Sequence, residues 1–250
     1  MAENIVLSEM TWTEVDDAIR ERPVALVPVG AIEAHGPHLP VSTDTLIATE
    51  MARRGARKLK AHGVPSLILP PVAFTVAELG AEFAGTLSVS AETATALLRD
   101  VALCTAKRFR AVAFANVHLE PRHIECLKKA VEQATKAGVS ACWVDIQKKR
   151  WATQLGEAFA KGDHAGAWET SLMMAAAPKM VRDSVRRNLA PLDEIDVQKR
   201  RLAKGFAEAG GEEAYFGDPT AASAEDGEAY FEALAQVVSL SVREHLGSKA

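Results

Sequence analysis

Residues 33–44 read EAHGPHLPVSTD, and they place Glu33, His35, His38 and Asp44 directly after the apolar run VPVGAI. A second cluster, Asn116-Val117-His118-Leu119-Glu120, ends another apolar run, and a third, DHAGAWETS, occupies 163–171. In extended backbone, residues two apart point the same way. Glu33 therefore shares a side with His35, and His118 with Glu120, so each pair offers one oxygen and one nitrogen donor. Asp44, returned by the Gly- and Pro-containing turn at Gly36, Pro37 and Pro40, adds a carboxylate that both pairs could share. Two histidines and three carboxylates form a mixed N/O donor set suited to zinc or manganese, with iron also admitted. Five ligands exceed what one catalytic zinc takes and suit two divalent ions about 3.5–4 Å apart, a spacing that holds a bridging hydroxide and polarises a carbonyl.

Each residue also has a simpler use. Asp44 or Thr43 could cap the helix that follows, and His118 could be a satisfied core histidine. His38 is out of phase with Glu33 and His35, which favours a structural part or one supporting the ligands. Glu169 is expected near the start of a helix, as a metal ligand, a hydrogen-bond acceptor behind the ligands, or a proton carrier. His164 is either an acid/base or substrate contact or, with Asp163, part of a helix cap. The agreement of two strand ends, each with Glu and His two apart, plus an Asp, is what points to metal. Trp168 and Trp151 are read as pocket walls or core. No G-x-S-x-G, G-x-G-x-x-G or G-x-x-x-x-G-K-[ST] occurs, so serine-hydrolase, dinucleotide and P-loop chemistry lack their motifs.

These clusters need rigid elements behind them. ALVPVGAI (25–32), SLILPPVA (66–73), AVAFANVH (111–118) and SACWVDIQ (140–147) are nearly continuous apolar runs, as in strands covered on both faces. Residues 45–63, 91–110 and 121–138 have apolar positions three and four apart, and two of these stretches end in Gly, which predicts intervening helices. The alternation predicts an α/β fold with a mostly parallel sheet and helices on both faces. Further helices are expected at 167–177, 193–206 and 225–246, with 210–223 as a loop. One domain over residues 1–250 is expected. In such sheets, ligands bind beyond the carboxyl ends of the strands, where Glu33-Ala34-His35 and His118-Leu119-Glu120 fall.

The composition is ordinary for a globular chain: 250 residues, 48% hydrophobic, 25% charged, net charge -4. There is no basic footprint for nucleic acid, no run long enough to span a membrane and no signal-peptide pattern at the start. The three cysteines, Cys104, Cys126 and Cys142, form neither a disulfide framework nor a zinc ribbon. A reduced, cytoplasmic protein with a small-molecule substrate is the expectation.

PVGAIEAHGPHLPVSTD (28–44) resembles the hallmark segment of the creatininase family, EFAGTLSVS (82–90) its F-P-G-T-L-S segment with Ala84 in place of Pro, and HAGAWETS (164–171) its H-A-G-x-x-E-T-S segment. The resemblance implies a three-layer α/β/α fold, two metal ions per chain and often a hexamer. Carried over position by position, it implies Glu33, Asp44 and His118 on one ion and His35, Asp44 and Glu120 on the other, with His164 near the substrate. NVHLEPRH (116–123) departs from the N-x-H-G-G-N of many members, and Arg122 then stands at the mouth, where it could meet an anionic group. FTVAELGAEFAG (74–85) lacks the family's recognisable Ser/His segment. The function expected is metal-dependent hydrolysis of a small cyclic amide or formamide-type C–N bond, other than a peptide bond, through a bridging hydroxide. Glu120 or His164, with Glu169 beside them, would move the proton. The alternatives are cleavage of a C–C bond in a cyclic ketone, and a member that binds metal or ligand without turnover.

Overall fold

The computed structural model describes residues 5–193, 195 and 197–247. Four strands form one parallel sheet: β1 (Val24–Val29), β2 (Ser66–Ile68), β3 (Ala111–Asn116) and β4 (Ala141–Val144), in the order β2-β1-β3-β4. The helices are α1 (Trp12–Ala18), α2 (Thr43–Ala61), α3 (Ala91–Thr105), α4 (Pro121–Lys136), α5 (Lys149–Leu155), α6 (Glu157–Lys161), α7 (Ala167–Ala176), α8 (Asp183–Arg186), α9 (Val197–Leu202) and α10 (Ala224–His245).

Strand alternation builds two cores. Val24 and Leu26 of β1 and Ala111, Ala113 and Ala115 of β3 pack on one face, with residues of α2, α7 and α10. Ala25, Val27 and Val29, with Val112 and Phe114, pack on the other, against α3 and α4. The chain leaves β1 toward β2 through α2 but runs the opposite way from β2 to β3 and from β3 to β4. Right-handed crossovers in opposite directions put their helices on opposite faces. The three α/β/α layers follow from that rule, and β1 and β3 become the pair at which the chain direction switches. The loops after β1 and β3 diverge there and leave a crevice at the carboxyl edge.

The strands are shorter than the apolar runs. β1 stops at Val29 because Gly30 lies under the start of α2; a Cβ there would be 2.5 Å from the Thr45 nitrogen. β2 stops at Ile68 because Pro70 and Pro71 have no N–H for the ladder, and only a lone bridge from Val72 to Val29 resumes it. β3 ends at Asn116, so both Glu/His pairs sit in the loops just past the strands.

Of the helix expected over 193–206, positions 194 and 196 lie outside the described residues, and the described ones form α9 over Val197–Leu202. Phe206 turns inward, buried, and its N–H donates to the Leu79 carbonyl at 2.9 Å. The stretch 210–223 is tied to the rest by short bridges, His164 to Phe216 and Leu192 to Gly217. Among the described residues, no helix is long and apolar enough to cross a membrane.

Candidate metal centre

The loop after β1 is held from all sides. Glu33 N–H donates to Val41 O at 2.9 Å, Ala34 N–H to Thr86 Oγ1 at 3.0 Å, and Gly36 N–H to Ala214 O at 2.7 Å. Gly36 has φ 63°, and a Cβ on it would sit 2.7 Å from His38 Nδ1, so the turn requires glycine. The loop then enters α2, where Ser42 takes the cap position and Asp44 lies in the first turn. The positive end of α2 favours a carboxylate there.

Glu33, His35, Asp44, His118, Glu120, His164 and Glu169 are all buried, none more than 7% exposed. The two oxygens of Asp44 face different imidazoles: Oδ1 is 3.3 Å from His35 Nε2, and Oδ2 is 2.9 Å from His118 Nδ1. His118 Nδ1 is also 3.5 Å from Glu33 Oε2, and His35 Nε2 is 3.6 Å from Glu169 Oε2. Donor atoms lying within 4.8 Å of one another form three groups: Glu33, His118 and Glu120; His35, Asp44 and Glu169; and Glu33, His35 and His164. Glu120 thus gathers with Glu33 and His118, and the third carboxylate beside His35 and Asp44 is Glu169.

Each of these histidines has its other nitrogen fixed by the main chain. His35 Nδ1–H donates to Glu33 O at 3.0 Å, His118 Nε2–H to Val76 O at 2.9 Å, and His164 Nε2–H to Ala34 O at 3.1 Å. A carbonyl can only accept, so the nitrogen behind keeps its proton, and each ring, once deprotonated on the other nitrogen, turns that lone pair inward. That is how metal-binding imidazoles are usually oriented. Glu33 Oε1 and His35 Nε2 are buried with no hydrogen bond of their own, which bound divalent ions would relieve. The residues present fit such an ion.

The electrostatics agree. Burial pushes Glu33 up to about 7, with His118 and His35 pulling the other way. Burial opposes the charged forms of His35 and His118, but the carboxylates around them prevail, and the rings are held near 10 and 9. Burial also disfavours the Asp44 carboxylate, yet His35 and His118 hold it well below the usual range. The cluster is built for positive charge between its acids.

Neighbouring groups stiffen it. Thr75 donates to His123 Nδ1 at 2.5 Å, His123 Nε2–H donates to Asn116 Oδ1 at 2.8 Å, and Asn116 Nδ2 donates to His118 O at 2.8 Å. His38 Nε2–H donates to Thr170 Oγ1 at 2.9 Å, tying the β1 loop to α7, and burial keeps the ring neutral, near 4. Asp163 accepts the N–H groups of Gly166, Trp168 and Glu169, so it caps α7. His164 lies between the rings of His35 and Phe206, at centroid distances of 4.5 and 4.3 Å. Trp168 is 1% exposed and packs on Phe159, away from the cluster, and Trp151 is in the same core. Arg122 is exposed and paired with Glu78.

Sequence reasoning missed the segment after β2. FTVAELG supplies Val76 O to His118, and Leu79 N–H donates to Glu120 Oε2 at 3.2 Å. These are main-chain contacts, which leave no signature in residue types.

A profile of the creatininase family, described as creatinine amidohydrolase, matches residues 8–240. The mycofactocin precursor peptide peptidase of Mycobacterium ulcerans (strain Agy99) is 36% identical over 238 residues, covering 90% of this chain and 87% of that protein. The creatinine amidohydrolase of Pseudomonas putida is 28% identical over 195 residues, covering 72% and 75%. A solved structure named "Creatininase Mn" has a TM-score of 0.77 at 23% identity, covering 96% of this chain and 98% of that one. A putative creatinine amidohydrolase from Bacteroides fragilis NCTC 9343 has a TM-score of 0.69 at 21% identity, covering 100% and 99%. The likeness to these structures establishes the shared fold.

Proposed function

The chain belongs to the creatininase family, and on that premise we propose that it is a metal-dependent amidohydrolase that cleaves a C–N bond. The observation that carries this reading is the placement of the two Asp44 oxygens against His35 and His118, each ring anchored behind by a carbonyl. Glu33, Asp44 and His118 would hold one ion, with Glu120 beside them. His35, Asp44 and Glu169 would hold the other; the 3.6 Å approach of Glu169 to His35 favours this division over one that puts Glu120 on the ion of His35. Two ions held there supply a water of lowered pKa and Lewis acidity at the substrate carbonyl.

The chain's own residues do the rest. Asp44 and the anchored rings keep the donors in place before substrate arrives, and the buried setting excludes bulk water. Glu120, held by Leu79 N–H, and His164, packed between His35 and Phe206, are the groups that pass a proton to the leaving nitrogen.

The small cyclic amide or formamide is one reading of the substrate. A peptide bond is the second, because four relatives at 33 to 36% identity are named as peptidases of a precursor peptide, and a peptide bond is itself an amide. Chelated and zinc- or manganese-reloaded protein incubated with cyclic amides, N-formyl amines, short peptides and cyclic ketones tests the reading. Metal-dependent gain of one water with appearance of a new amine supports it. A gain of water without an amine, from a cyclic ketone, would replace it with C–C cleavage.

A further inference from the structure

A cavity of about 540 Å³ reaches the buried Glu120 and its partner Leu79. Its rim comes from two elements: Arg122 and Glu125 of α4, and Arg201 and Lys204 at and beyond the end of α9. Arg122, the cation expected at the mouth, is already paired with Glu78. Arg201 and Lys204 are exposed, and among the described residues neither has an acidic partner. One acid on the same rim, Glu125, has no basic partner among the described residues. At the inner end of the cavity Glu120 groups with Glu33 and His118; bound divalent ions would offset the charge of these acids, so the cations at the entrance add attraction for an anion rather than cancel a repulsion.

We propose that Arg201 and Lys204 receive a carboxylate of the substrate, so that the amide cleaved at this site carries a negative charge, as in an N-acyl amino acid or the carboxyl end of a peptide. The proposal rests on the amide-hydrolase reading and narrows it. A guanidinium presents a fork of donors that matches a carboxylate, and the Lys204 ammonium adds a second charge-assisted bond. The Glu78–Arg122 pair is self-neutralised and lines the same cavity. Glu125 sets a limit on the net attraction.

The test uses metal-loaded, full-length protein and matched ligands: N-acetylalanine, N-acetyl-dialanine and N-acetyl-tetraalanine, each as free acid and as carboxamide. Binding is followed by calorimetry, and cleavage by mass spectrometry in the same solutions. The free acids are expected to bind about tenfold tighter than the amides. That preference is lost in the Arg201→Gln/Lys204→Gln variant, shrinks with added salt and grows in Glu125→Gln. Both cations are exposed, and circular dichroism checks that the variant folds. The single-residue arm against the tetrapeptide arm distinguishes an N-acyl amino acid from a peptide end. Equal binding of acid and amide, binding of neither, or a preference that survives in the double variant would overturn the proposal. Cleavage without acid preference would do so while leaving amide hydrolysis standing; acid preference without cleavage would keep the rim and contradict the hydrolase reading.

Discussion

Ala165, at φ 51°, directs its backbone N–H to Glu169 Oε2 at 2.5 Å. An alanine in the left-handed region costs about 1–2 kcal/mol, and it persists because the surroundings over-determine it. Here Asp163 gathers the following N–H groups, and the His164–Phe216 bridge fixes the preceding residue. Ala165→Gly keeps the N–H and removes the crowded Cβ. The variant should unfold about 2–4 °C higher, with unchanged metal content. A lower Tm would show that the alanine methyl is needed where it stands.

Under the proposed division, the grouping of Glu169 with His35 and Asp44, and of Glu120 with Glu33 and His118, would assign the two carboxylates to different ions. Glu169→Gln is expected to weaken one ion and leave the other. Glu120→Gln should weaken the opposite one. Each should lower turnover by about 10²-fold or more. Stepwise chelation, read by elemental analysis, distinguishes the two; if both variants lost the same ion, the division would be wrong.

Asn116 acts on His118 through the main chain while also accepting from His123. Asn116→Ala removes both bonds and leaves a buried imidazole nitrogen unpaired. It should reduce metal affinity about 10–100-fold without touching a ligand, measured by competition with a coloured chelator. Unaltered affinity would make the network a matter of folding alone.

Chelated protein carries His35 and His118 near 10 and 9, above the ordinary 6.5 of a free imidazole. Metal ligands must be deprotonated, so zinc added at neutral pH should release about two protons per chain from these rings, read with an indicator dye in weak buffer. The folded values are raised, so this pair stabilises the chelated fold fully below pH 6.5 and the contribution disappears as pH rises through about 9 to 10. The chelated protein's Tm should therefore fall across that window. No proton release would place the metal elsewhere.

Most of what made the site legible lay in side-chain types at short spacing. Glu33, His35, Asp44, His118 and Glu120 were readable because two loops at one edge of a parallel sheet carry the same pair, and apolar continuity in β1 and β3 announced that sheet. The approach of Glu169 to His35, on which the proposed division of ligands rests, was not readable, since it depends on how far α7 brings Glu169 inward. The strand ends were overestimated because Gly30, Pro70 and Pro71 stop the ladder while the hydrophobic run continues. The backbone acceptor at Val76 and the strain at Ala165 leave no trace in composition. Arg122 was visible as a cation, but its partner Glu78 lies far away in sequence, and so do Arg201 and Lys204.

The bridging place proposed for Asp44 is tested most directly by metal content. Protein purified without chelator, and its Asp44→Ala variant, would be compared by elemental analysis, with circular dichroism to show that both are folded. About two divalent ions per chain in the native protein, and fewer than one in the variant, is the result expected of a shared carboxylate. Two ions retained without Asp44, or none taken up by the native protein from added zinc or manganese, would contradict it.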